Sequence, residues 1–422
     1  MTTTRAFRTS MMLLLAAASA SAAGAQTVLE WITLSATDLV PARLTVAPSA
    51  PDAAALGLAA GPLSFSWALD AATPITEPRP FVAESREHWL RVTAADLGTG
   101  VPLVTLAPGA LVRINPAPGP PAAGAVLDPR ALVIVDEKGE TYAQGTGFSR
   151  LASAEQLAAA GVDFPEGTLA FRLASEVGSG RLTLRAEGLA AATGEAFVVH
   201  VLDAGSSTVL RLGSTRPAYL DGQTLIAELD ATSGGGRLRL DEVTGFVTSP
   251  AGRAWPLRFR PSGSVYRASL HLDAEEPAAP GPWEIHASAS GRDAGRRFVR
   301  NARTAFACAL PTARLSGEGE LGNGNAGGLE VRLGVETASP GRYEVRGVLF
   351  GTAPGGGMKP IATAHGAAWL EVGGGTLALS FDAATLAASA LAPPYEVREL
   401  ELRDQGRMGL LERRARGLVV RP

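Results

Sequence analysis

Strict period-two alternation between closely spaced turns limits what this chain can become. The clearest case runs from Tyr219 to Leu315. Tyr266, Ala268, Leu270 and Leu272 alternate with Val265, Arg267, Ser269 and His271. Trp283 and Ile285 alternate with Glu284 and His286, and Phe306, Cys308 and Leu310 with Ala305, Ala307 and Ala309. One apolar face repeating every second residue marks a strand packed on one side. Turn residues interrupt it at Ser233–Gly236, Pro250–Gly252, Pro261–Gly263, Glu276–Pro282 and Gly291–Gly295. Strands this short with turns this frequent predict an immunoglobulin-like antiparallel sandwich.

The flanking segments extend the pattern. Leu63, Phe65, Trp67 and Leu69 alternate with Ser64, Ser66 and Ala68 and predict a strand. Val133–Asp136 and Glu140–Ala143 flank the turn Glu137-Lys138-Gly139, a hairpin signal. Ser153-Ala154-Glu155-Gln156 is a capping-box pattern, and Gly161 closes a helix of two turns. The cluster Pro116-Ala117-Pro118-Gly119-Pro120-Pro121 predicts an exposed extended loop.

Further on, Trp369–Val372 and Thr376–Phe381 read as a hairpin around Gly373-Gly374-Gly375, and Asp382 as a helix cap. Tyr395 and Val397 lie on one strand face and Leu400 and Leu402 on the other, so a bulge is expected near Arg398 or Glu399. The fold class is therefore mainly β: a β-rich N-terminal domain (26–195, with one short helix) followed by two immunoglobulin-like antiparallel β-sandwiches (196–310 and 311–422). Phe197–Leu202 reads either as the last strand of the first domain or as a connector. The last segment is expected to fold alone.

Residues 1–25 have the form of a secretory signal. Arg5 and Arg8 give the positive end, Met11–Ala18 a short apolar core, and Ala23-Gly24-Ala25 a cleavage site with Gln26 as the mature start. The apolar run is too short to span a bilayer, and no later stretch is long enough, so a periplasmic or secreted protein without a transmembrane segment is expected. Cys308 is the only cysteine, so no internal disulfide can form; its place beside Phe306 and Leu310 predicts a buried, inert thiol. A net charge of −3 without a basic block before the C-terminus excludes nucleic acid as a partner.

Motifs for chemistry are few. The histidines His88, His200, His271, His286 and His365 show no zinc-ligand spacing. His271 and His286 fall on polar strand faces and read as solvated. There is no G-x-S-x-G elbow and no Walker loop, and no motif calls for a cofactor. Gly322-Asn323-Gly324-Asn325 lacks the carboxylates of a calcium loop, and Glu166 reads as a turn residue. Arg407, Arg413, Arg414 and Arg416, with Glu412 as their one local counter-charge, form the most basic stretch and a candidate site for an anionic surface.

Short motifs in order carry a resemblance: Ser85-Arg86-Glu87-His88-Trp89, Gly100-Val101-Pro102-Leu103, Ala107-Pro108-Gly109-Ala110-Leu111-Val112-Arg113, Phe164-Pro165-Glu166-Gly167-Thr168, Thr304-Ala305-Phe306, Pro311-Thr312-Ala313-Arg314-Leu315 and Pro394-Tyr395-Glu396-Val397-Arg398-Glu399-Leu400. The chain resembles the bacterial exported proteins grouped as domain of unknown function 4785, with nothing recognised from Val28 to Arg79. The resemblance implies a β-rich domain followed by two immunoglobulin-like domains, and no established activity, so no catalytic residue is carried over. The expected function is a non-enzymatic, exported binding or adhesion-type protein of the cell envelope, its partner a protein or an envelope glycan. The alternatives are a hydrolase with a site assembled from scattered residues of the first domain, and a structural spacer.

Overall fold

Alternating strands become stable only when each finds a partner edge, and here many partners are distant in sequence. The computed structural model describes residues 28–48, 57, 61–117, 127–188, 195–273, 281–324 and 327–421. The signal segment, the proline cluster beyond Ala117, and Asn325 lie outside the described residues. Three modules emerge, each a pair of sheets closed over its own apolar core.

The first module packs a five-stranded sheet on a four-stranded one. The five-stranded order is Glu87–Thr93, Ala196–Leu202, Leu111–Pro116, Leu169–Leu173, Phe148–Ser153; the other is Val101–Thr105, Gly180–Ala186, Leu132–Val135, Thr141–Tyr142. Leu103, Ile114, Leu132, Ile134, Phe171 and Val199 lie between them. Ala196–Leu202 is hydrogen-bonded on both sides within this sheet, so the first module runs to Leu202 rather than ending at residue 195. The helix Ala154–Ala159 carries the capping box read from Ser153 and Gln156, with both reciprocal bonds made. A second short helix, Ala94–Thr99, has the same device in Thr93 and Asp96.

The central module pairs Val82–Ser85, Val209–Ser214, Thr224–Ser233, Val265–His271 and Arg260–Ser262 in one sheet. Ala218–Leu220, Arg296–Ala309, Trp283–Asp293, Leu240–Thr248 and Ala254–Leu257 form the other. Inward residues include Leu212, Leu229, Ile285, Phe298 and Phe306. The stretch 219–315 is thus not complete by itself: Val209–Ser214 and Val82–Ser85 are required, and Ala218–Leu220 joins Ala307–Ala309 in parallel.

The third module departs most from the expected boundaries. Gly409–Arg421, Ala392–Asp404, Gly341–Thr352 and Met358–Leu370 form a four-stranded ladder. Its edges are closed by Val28–Trp31 on Gly409–Arg421 and by Leu63–Ala68 on Met358–Leu370. Both edge strands come from the segment assigned by sequence to the first domain. An open ladder edge presents unpaired N–H and C=O groups, and these two strands satisfy them. The opposing sheet contains Ala313–Asn323, Leu329–Thr337 and Gly375–Phe381.

Trp369–Val372 and Thr376–Phe381 do not form a hairpin. The chain crosses there from one sheet to the other, through Gly374 at φ 117, where a Cβ would lie 2.0 Å from the Val335 carbonyl oxygen. The bulge expected near Arg398 is present: the register slips between Val397 and Arg398, and Glu399 has φ 48. No helix among the described residues is long and apolar enough to cross a membrane.

Candidate functional site

The strand Leu63–Ala68 divides its side chains by size. Ser64 and Ser66 face the opposing sheet, where Ser64 Oγ donates to Ser380 Oγ at 3.1 Å and Ser66 Oγ to Asp382 Oδ2 at 3.4 Å. The sheets approach closely here, since a Cβ on the neighbouring Gly366 would lie 1.9 Å from the Ala378 oxygen. Only small residues fit inward, so Leu63, Phe65 and Trp67 turn outward. Phe65 and Trp67 remain 41% and 49% exposed.

These rings do not stand alone. Antiparallel register sets Phe65 opposite His365 and Trp67 opposite Thr363. Phe65, Trp67 and His365 form a set of near-parallel rings with centroids 5.1–5.4 Å apart. His365 Nδ1 stands 2.5 Å from Glu344 Oε1. Glu344 Oε2 accepts from Gln405 Nε2 at 3.0 Å, and Gln405 Oε1 accepts from Arg342 Nε at 2.9 Å. This chain fixes the imidazole plane, and the imidazole backs Phe65.

Next to the rings, the same sheet face carries Arg346, Glu401 and Arg403, then Glu396 and Arg398 with Arg416. Glu401 binds Arg403 at 2.8 Å and Arg346 at 3.9 Å; Glu396 binds Arg398 at 3.1 Å and Arg416 at 2.5 Å. Burial pushes the Glu396 carboxyl up, but the bonds from Arg416 and Arg398 outweigh it and hold the group below its ordinary value. Arg342, Arg346, Arg398, Arg403 and Arg416 stand against Glu344, Glu396 and Glu401, so the face has most of its charge paired. It combines exposed π surface with oriented donors and acceptors.

The arginines singled out by sequence are placed differently from expectation. Arg407 pairs with Asp404 at 2.7 Å, Arg413 with Glu399 at 2.5 Å, Arg414 with Glu412 at 2.7 Å and Arg416 with Glu396. Arg413 and Arg414 are only 7% and 9% exposed. Arg414 also covers the Trp31 ring at 4.6 Å. The stretch is a hairpin whose cations are neutralised across the ladder, not an open basic surface. Asp404, Glu399 and Glu396 sit on the partner strand Ala392–Asp404, which counting nearby residues overlooks, while Glu412 lies on the same strand as Arg414.

Of the histidines, His271 is exposed and His88 is buried. His200 pairs with Glu87 at 2.7 Å and His286 with Glu284 at 3.1 Å. His286 is stacked on Phe246 rather than freely solvated. Cys308 is half-buried, and burial pushes its thiol up to about 12, so it is a poor nucleophile. Among the described residues no group of three or more His, Cys, Asp or Glu is placed to hold a metal ion.

Fold and surface together define a tandem β-sandwich protein with an aromatic face on its last module. The chain matches the sequence model for the N-terminal domain of DUF4785, a domain of unknown function, over residues 55–203, and the model for its C-terminal domain over 312–421. It belongs to the DUF4785 family. The first match ends one residue beyond Leu202, in accord with the sheet pairing, and begins within the stretch where no motif was recognised.

A DUF4785 family protein from Legionella pneumophila has the same fold, with a TM-score of 0.70 at 21% identity over 90% of this chain and 98% of that one. Titin domains A168–A170 align at a TM-score of 0.16 and 8% identity over 78% of this chain and 95% of that one. The C-terminal globular domain of an oligosaccharyltransferase from Pyrococcus abyssi aligns at 0.14 and 10% over 54% and 50%. Neither bears on the fold. No curated protein matches.

Proposed function

We propose that this is an exported, non-enzymatic binding protein that holds a neutral pyranose glycan of the cell envelope against the Phe65–Trp67–His365 face. The observation that carries the reading is the exposed, near-parallel ring set backed by the Glu344–Gln405 chain. A pyranose presents an apolar C–H face and a rim of hydroxyls. Exposed aromatic rings suit the first, and paired arginines and glutamates suit the second. Exposed aromatic patches on soluble proteins mark interaction surfaces. Most of the arginines here are already engaged by glutamates, which favours a neutral ligand over an anionic one. Export rests on Arg5, Arg8, the apolar run Met11–Ala18 and the Ala23-Gly24-Ala25 site.

The test is calorimetric titration of the full chain with neutral hexasaccharides of β-1,4-glucose and β-1,4-N-acetylglucosamine, with polygalacturonate as the anionic comparison. Trp67→Ala should weaken neutral-glycan binding about tenfold, the upper range for one stacking contact. Binding of polygalacturonate alone, or hexamer binding wholly indifferent to Trp67→Ala, would overturn the reading.

A further inference from the structure

We infer that a second neutral-glycan subsite spans the seam between the first and central modules, formed by Trp89, His200 and Glu87 on one side and Phe246, His286 and Glu284 on the other. The inference rests on the preceding reading for its ligand class, but its geometry is independent. Each half repeats the grouping seen at Phe65, His365 and Glu344: an aromatic ring, a histidine and the carboxylate that orients it.

On the first module, His200 lies opposite Trp89 in the ladder, their ring centroids 6.2 Å apart, and pairs with Glu87 at 2.7 Å. On the central module, Phe246 lies opposite His286, with centroids 4.6 Å apart and planes 9° apart. Phe246 is 42% exposed. Period two explains both halves. Val199, Val201, Ile285 and Val247 turn into the two cores, which leaves His200, His286 and Phe246 on the outer faces.

Arg303 links the halves. It lies opposite His286 in the next strand, reaches Glu284 at 3.7 Å, and has an exposed side chain. The His200 bond chiefly, with weaker help from the charges of Arg113 and Arg303, holds the Glu87 carboxyl below its ordinary value. Arg303 therefore acts on carboxylates from both modules. Two glutamates stand against Arg113 and Arg303, so the charges compensate, and a neutral, hydroxyl-rich ligand matches the seam better than an anion or a cation.

The seam is also rigid, which a composite site requires. The Asn301 side chain accepts from Trp89 N at 2.9 Å, and its carbonyl accepts from Ser85 Oγ. Asp203 and Arg300 form a fully buried pair at 2.8 Å, and Asp203 also accepts from Leu106 N and Ala107 N. Arg296 donates to the carbonyls of Thr105 and Leu106. These bonds fix Trp89 relative to Phe246, so binding to both incurs little ordering cost.

The experiment is calorimetric stoichiometry on the full chain, with the β-1,4-N-acetylglucosamine hexamer as probe. Wild type should bind two hexamers. Phe246→Ala with Arg303→Ala should leave one, Trp67→Ala should leave the other at full affinity while weakening the first about tenfold, and the triple variant should keep no site of wild-type affinity. Phe246→Ser serves as a second variant, and thermal melts confirm that each is folded. A single wild-type site weakened about tenfold by Trp67→Ala overturns the seam subsite and leaves the first reading intact, as does an unchanged stoichiometry of two in the Phe246 and Arg303 variants. Binding lost only in those variants supports the seam and overturns the first face. No binding of this hexamer removes the seam subsite, and no binding of either neutral hexamer removes both.

Discussion

Phe65 lies nearly parallel to His365, with ring centroids 5.2 Å apart and planes 4° apart, although one residue sits near the start of the chain and the other near its end. The contact reflects how the third module is completed. Val28–Trp31 and Leu63–Ala68 occupy both edges of its larger sheet, and Leu29 and Trp31 pack against its core. Residues 311–422 by themselves would leave two open ladder edges, which template association with other chains. The isolated segment should therefore form oligomers or aggregates, whereas the same segment joined to residues 28–68 should be monomeric. Light scattering after size-exclusion chromatography checks this. A monomeric isolated segment with the melting temperature of the joined form would show that the N-terminal strands are dispensable.

His88 should shape the acid limb of stability. It is 1% exposed, and among the described residues neither ring nitrogen has a hydrogen-bond partner. Burial first, then the charges of Arg300 and His200, push it from 6.5 down to about 4. The unfolded chain therefore takes up the proton first. The stabilisation is complete above the unfolded value near 6.5 and is lost as pH falls toward 4, by about 3 kcal/mol in all. Urea midpoints at pH 7.5 and 5 should fall further apart for wild type than for His88→Leu. Parallel losses in the two proteins would show that His88 does not titrate in this window.

The Asp203–Arg300 pair should behave as a buried ion pair that cannot be halved. Removing Arg300 leaves Asp203 without its counter-charge at a site closed to water. Arg300→Ala is expected to cost about 3–5 kcal/mol, whereas replacing both partners with apolar residues should cost less than the single change. Denaturant titration of the three proteins gives the comparison. Equal losses for the single and double variants would mean that the pair acts only through packing.

Local sequence rules were legible where the structure obeys local chemistry. Ser153 and Gln156 make the capping box their spacing announces, and Thr93 with Asp96 carried the same signal for Ala94–Thr99. The slip between Val397 and Leu400 marked the bulge at Glu399, because a strand cannot change its inward face without an extra residue. What alternation does not encode is the partner. Leu63–Leu69 reads correctly as a strand, yet its pairing with Met358–Leu370 and the outward turn of Phe65 and Trp67 depend on the close sheet approach at Gly366. Asp382 occupies the cap position of Ala383–Ser389 but makes no cap bond, and accepts from Ser66 Oγ instead. The aromatic–histidine–carboxylate groupings were invisible for the same reason, since each joins residues from different strands.

The paired arginines of the last hairpin yield the opposite prediction from a solvent-facing basic stretch. Reversal of Arg413 and Arg414 to Glu would leave the fold intact if both side chains faced water. Instead Arg413 pairs with Glu399 at the bulge, and Arg414 pairs with the buried Glu412 while covering Trp31. Burial already pushes both glutamate carboxyls above their ordinary values, partly countered by these arginines. Reversal would set new carboxylates beside Glu399 and Glu412 and remove the cation over the Trp31 ring. Breaking a buried pair costs about 3–5 kcal/mol, so the double reversal should unfold the third module or lower its melting temperature sharply. Arg416→Gln should be mild, within about 1 kcal/mol, because its side chain is exposed. Thermal denaturation of both variants, with binding to anionic vesicles across a salt series, checks the contrast. A stably folded Arg413→Glu, Arg414→Glu protein that has lost salt-sensitive vesicle binding would restore the hairpin as an anion-docking surface.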